Sequence, residues 1–157
     1  MEKSQINFLI TEAGKNYKTS LVYTFISVVT ILYTIYSYSV GSLYNKNDSI
    51  IMYIYLIITV LSIISSLRFS KKIKPFQEDI KKIIISNKAL YTLYNKTKGR
   101  EGLCFLVLII VLVISFFVKG TALWFLDDIG FLIIIFSYWF TSRSHVVLLE
   151  GCNNIIN

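Results

Sequence analysis

The chain has 157 residues, of which 55% are hydrophobic and 15% aromatic, and its mean hydropathy is +0.63. Only 16% of the residues are charged and the net charge is +7, whereas ordinary soluble domains are about 25% charged. A soluble fold this small has too much surface for its volume to hide so much apolar area, so the composition excludes a water-soluble globule and points to lipid as the solvent.

The first 18 residues are polar and mixed, carry Lys3, Lys15 and Lys18, and read as a tail without a cleavable signal pattern. Residues 19–40 form an uncharged apolar block. As a helix it would rise roughly 33 Å, enough to cross a hydrocarbon core of about 30 Å. Gly41 and the polar run Asn45, Lys46, Asn47 and Asp48 then predict a turn. A second block covers 49–67 and stops at Arg68, a third covers 102–118, and a fourth covers 122–142 and stops at Arg143. Isolated strands would leave backbone groups unpaired in lipid, so each block is expected to be a helix. Asp127 and Asp128 fall near the start of the fourth block. The cost of burying charge keeps them near the outer surface, whether the helix begins before them or near Ile129.

Between spans two and three lies a segment, 68–101, with ten Lys or Arg and three Asp or Glu. Within it, 75–95 reads as one amphipathic helix opened by Pro75. Phe76, Ile80, Ile83, Ile84, Leu90, Tyr91 and Tyr94 share its apolar face, interrupted by Asn87, and Gly99 ends the pattern. Fourteen basic residues fall on one side of the four spans, against Lys46 and Lys119 on the other. Positive charge stays inside, so both termini and the basic segment are expected in the cytoplasm. Tyr44 and Trp124 suit the outer interface, and Tyr138 and Trp139 the inner one. The fold class is thus all-α: a polytopic protein forming a single membrane domain over 1–157, with four transmembrane helices and a cytoplasmic amphipathic helix.

Three spans carry small or hydroxylated residues on one face: Ser20, Thr24, Ser27, Thr34 and Tyr38; Tyr55, Thr59, Ser62 and Ser66; and Gly130, Ser137, Thr141 and Ser144. Such residues let helices approach and hydrogen-bond. They outnumber the needs of one internal seam, which predicts a homo-oligomer. Symmetry would then repeat the basic segment around an axis and gather the acidic pair Asp127 and Asp128 at the outer rim. The third span, with only Cys104 and Ser115 as weakly polar members, is expected to face lipid most completely.

Cys104 and Cys152 form neither a disulfide framework nor a metal spacing. The chain has one histidine, His145, and no phosphate loop, metal-binding helix motif or nucleophile elbow. No enzymatic activity, metal or cofactor is expected, and the spans lack the prolines and buried ionisable groups of a stand-alone transporter. The cations Lys71, Lys72, Lys74, Lys81, Lys82, Lys88, Lys96, Lys98 and Arg100 are the candidate contacts for anionic lipid heads or a cytosolic protein. Basic charge alone is not specific to nucleic acid, and direct nucleic-acid binding is not expected. The leading expectation is a small multi-pass scaffold, sensor or anchor of a bacterial-type inner membrane that oligomerises and recruits a cytosolic partner. The alternatives are a pore-forming or membrane-disrupting effector of a toxin or antiviral (antiphage) defence system, and an immunity protein against a bacteriocin or phage.

Overall fold

The computed structural model describes residues 2–39, 47–117 and 125–156. It contains α1 (Lys3–Ser39), α2 (Asn47–Ile73), a 3-10 turn (Lys74–Phe76), α3 (Gln77–Ser86), α4 (Lys88–Phe117) and α5 (Phe125–Ile156), and no strand among the described residues. The stretches Lys3–Tyr36, Tyr53–Ser86 and Ile129–Ile156 are long and apolar enough to cross a membrane. The expected block 102–118 occupies the second half of α4 as far as Phe117. Val40, Gly41, Tyr44, Lys46, Val118, Lys119 and Trp124 lie outside the described residues.

Each long helix continues well past the apolar block that predicts it. Nothing in α1 stops the helix between Lys3 and Ser39: there is no proline, and Gly14 meets no crowding. The expected N-terminal tail is therefore helical. Its Ile6, Leu9 and Ala13, spaced at three and four, are fully buried. At the other terminus α5 runs on to Ile156, burying Leu148, Leu149 and Cys152.

The basic segment is helical rather than a loop, but it is not the single helix 75–95. α2 extends to Ile73, and the chain's only proline sits at the start of the 3-10 turn, where its missing N–H is harmless. α3 then ends at Ser86, because Asn87 takes an extended conformation. The Asn87 side-chain oxygen accepts hydrogen bonds from the backbone N–H groups of Ala89 and Leu90, at 3.0 and 3.2 Å. That is an N-cap for the next helix. The residue that interrupts the apolar face is thus the hinge between two helices. Gly99 ends nothing, since α4 runs through it.

α5 is the central helix, packed against α1, α4, α2 and α3. One core, around Ile51, Tyr55, Ile58 and Ile135, joins α2 to α5 within the apolar blocks. A second core joins all five helices at the end that holds both termini: Ile6, Leu9 and Ala13 from α1, Phe69 from α2, Ile80 and Ile84 from α3, Leu90 from α4, and Leu149 and Cys152 from α5. The α3 face expected to be apolar supplies Ile80 and Ile84 here, with Phe76, Ile83 and Tyr94 packed around them, while Tyr91 is exposed. By contrast, α1, α2 and α4 turn large apolar side chains outward along their apolar blocks, among them Phe25, Leu32, Tyr53, Ile57, Leu103 and Phe105.

Candidate functional site

The second core matters because the cations ride on it. Lys71, Lys72, Lys74, Lys81, Lys82, Lys88, Lys96, Lys98 and Arg100 are all exposed, while Ile73, Phe76, Ile80, Ile83, Ile84, Leu90 and Tyr94 between them point into the core and Ile85 and Tyr91 stay exposed. Alternation at helical spacing therefore yields a packed layer with an apolar underside and a basic surface.

Glu12 and Glu101 neutralise part of this charge. Glu12 binds Lys15 at 2.8 Å on its own helix and reaches Lys72 on α2. These two ammonium groups hold the Glu12 carboxyl below its ordinary value, and they bridge the start of α1 to the end of α2. Glu101 pairs with Lys98 at 3.1 Å. Asn16 completes the α1–α5 seam: the Tyr138 hydroxyl donates to Asn16 Oδ1 at 2.6 Å, and Asn16 Nδ2 donates to Ser142 Oγ at 3.0 Å. Tyr138, expected as an interfacial aromatic, is instead buried and turned inward.

Most of the described hydroxylated residues of the polar faces turn into the single chain. Ser20, Ser27, Thr59 and Ser62 are buried, as is Tyr55, and Gly130 lies against Val111 with room for a methyl group. The hydroxyls of Ser20, Ser27, Thr34 and Ser62 donate to carbonyls of their own helices. Thr24 and Thr59 keep buried hydroxyls without a hydrogen-bond partner. Within one copy these hydroxyls serve helix packing, while Ser66 is exposed. Asp127 and Asp128 fall in the first turn of α5, and their side chains lie outside the described residues.

α2 and α4 each pack on α5, and between them a cleft of about 880 Å³ remains, lined at one end by α3. Ser66, Ser137 and Thr141 line it, as do Cys104 and His145. The His145 ring sits 5.2 Å from Phe69, and its buried Nδ1 has no hydrogen-bond partner. The volume is that of a small-molecule site, which typically spans roughly 300–1,000 Å³. Sequence reasoning missed this cleft, since its walls come from five helices whose polar residues look like ordinary packing positions.

Cys152 is fully buried in the second core, and burial pushes its thiol up, away from reactivity. Among the described residues, no group of three or more His, Cys, Asp or Glu is placed to hold a metal ion. The arrangement can therefore do two things with named side chains: present cations on a packed layer, and enclose a small molecule between α2 and α4. Comparison with models of protein families, with curated proteins and with solved structures finds no match for this chain.

Proposed function

We propose that this chain is a four-span inner-membrane anchor with both termini in the cytoplasm, whose packed basic layer recruits an acidic cytosolic protein. The start of α1 and the end of α5 meet in one core with α3, which supports an even number of crossings between them. If α1 and α5 span the bilayer, α2 and α4 must return the chain. The bias of basic residues toward that end supports the cytoplasmic orientation.

The observation that carries the partner reading is that all nine cations are exposed on a layer whose underside is buried. Lys88 begins α4, and the apolar block of that helix begins near Gly102. Fourteen residues of helix place Lys88 about 21 Å beyond the apolar boundary. Head groups occupy only about 5–8 Å on each side of the hydrocarbon core, and screening removes most of the attraction beyond about 8 Å. Lys98 and Arg100 lie within reach of lipid heads; Lys88 extends past them. A rigid layer also holds its charges without a large loss of side-chain and backbone freedom on binding.

A photo-crosslinking residue introduced at Lys82 or Lys88 in intact cells is the direct test. The expected product is one discrete protein adduct that disappears when Lys96 and whichever lysine of this pair does not carry the crosslinker are changed together to Glu. Adducts to lipid alone, or protein adducts indifferent to charge reversal, would defeat the recruiting role.

A further inference from the structure

From the cleft between α2 and α4 we infer a second site, which takes one phospholipid with an anionic head from the inner leaflet. The inference rests on the membrane reading above but not on the recruited partner.

The cleft differs chemically from end to end. At the level of the apolar blocks its wall is Ile63, Phe105, Ile133 and Ile134. At the basic end it is Gln77, Lys81, Asn95 and Lys98, together with Glu101, whose carboxylate pairs with Lys98 and leaves Lys81 the uncompensated cation among these residues. The lips of the opening are apolar and exposed: Leu67 is 58% and Phe105 64% accessible. In a bilayer those lips face acyl chains, so the natural route of entry is sideways from the lipid. A molecule that enters this way must satisfy an apolar floor and a polar, positively charged end together. A phospholipid does so, with a chain along Ile133 and Ile134 and its phosphate toward Lys81 and Lys98. Basic pockets between transmembrane helices on the cytoplasmic side are suited to anionic lipid heads.

Two further observations favour an occupant over simple lipid contact. The midsection carries Ser66, Ser137 and Thr141, polar groups that suit the glycerol region of a lipid better than its tails. Beside them His145 lines the cleft, and its buried Nδ1 has no hydrogen-bond partner. A helix from a second copy would leave these polar groups unmatched.

The test is native mass spectrometry of the full chain, purified in mild detergent and exposed to mixed vesicles of phosphatidylglycerol and phosphatidylcholine. The expected result is a single retained phospholipid per chain, enriched several-fold in phosphatidylglycerol. Ser137→Phe fills the middle of the cleft and should abolish retention. Ser66→Leu, on the exposed rim, should reduce it without burdening the fold, and Lys98→Glu should erase the head-group preference while leaving a lipid bound. Val22→Phe, on the outward face of α1, controls for loosely bound surrounding lipid and should change nothing. Loss of lipid equally in Val22→Phe and Ser137→Phe, absence of any retained lipid, or equal retention of both head groups by the unaltered chain would overturn the site. A chain that stays soluble without detergent would instead defeat the membrane reading itself, so the two failures are distinguishable.

Discussion

Glu12 illustrates how much one side chain can do in a segment that reads as a polar tail. It lies on the α1 face next to buried Leu9 and Ala13, and it meets Lys15 and Lys72 from opposite sides. Its carboxyl is held below the ordinary value of 4.5, chiefly by the hydrogen bonds from Lys15 and Lys72. A carboxyl with a depressed folded value stabilises the fold at pH above its unfolded value. That contribution is lost as the pH falls through the folded one. Water screens the pair, so the effect is small. Glu12→Gln should lower the thermal midpoint at pH 7 by about 2 °C, and the gap between the two proteins should close below the ordinary carboxylate range. A midpoint difference that persists at acid pH would show that Glu12 acts by packing and not by charge. The sequence displayed Glu12 and Lys15 one turn apart, but Lys72 is sixty positions away, and no local pattern joins them.

At the scale of elements, the helices were legible where apolar residues run continuously and illegible where they alternate with polar ones. Ile6, Leu9 and Ala13 are too sparse to raise hydropathy over a spanning window, and yet their spacing places all three on one face. The break at Asn87 carried a recognisable signal, an Asn directly before a helix; read as a flaw in one apolar face, it hid a cap between two helices. Nothing local marks the seam between α4 and α5. A methyl group added at Gly151 would stand 2.4 Å from Leu90 Cδ2, whereas Gly14, Gly99 and Gly102 have open space. Alanine in place of an unhindered helix glycine gains up to about 1 kcal/mol, and crowding a packed core typically costs about 1–3 kcal/mol. Gly99→Ala and Gly14→Ala should therefore stabilise the protein, and Gly151→Ala should be neutral or destabilising. In a Leu90→Ala background Gly151→Ala should turn stabilising, because only the helix gain remains. A double-mutant cycle by thermal or denaturant unfolding reads the coupling directly; additive changes would mean that α4 and α5 do not meet at this pair.

For the whole molecule, the meeting of both termini with α3 in one core converts a statistical rule about charge into a geometric constraint. The bias of basic residues assigns an inside to each segment separately, but the second core requires residues near Leu9, Ile84 and Cys152 to be on the same side whatever that side is. Inverting one hairpin alone would pull this core through the bilayer and expose its fully buried side chains. On the four-span reading proposed above, the molecule can be inverted only as a unit, carrying all fourteen basic residues to the other side together. Accordingly, in intact cells lacking both native cysteines, an impermeant thiol reagent should modify a cysteine at Asn47, beside the connection of α1 to α2. Cysteines at Lys88 and at Asn154, both exposed, should be spared until the membrane is opened. The pairing of the last two is the stronger expectation. Labelling of Lys88 and Asn154 together, with Asn47 spared, would reverse the orientation and preserve the fold. Labelling of one of the pair without the other would break the second core, and with it the platform that places the cations.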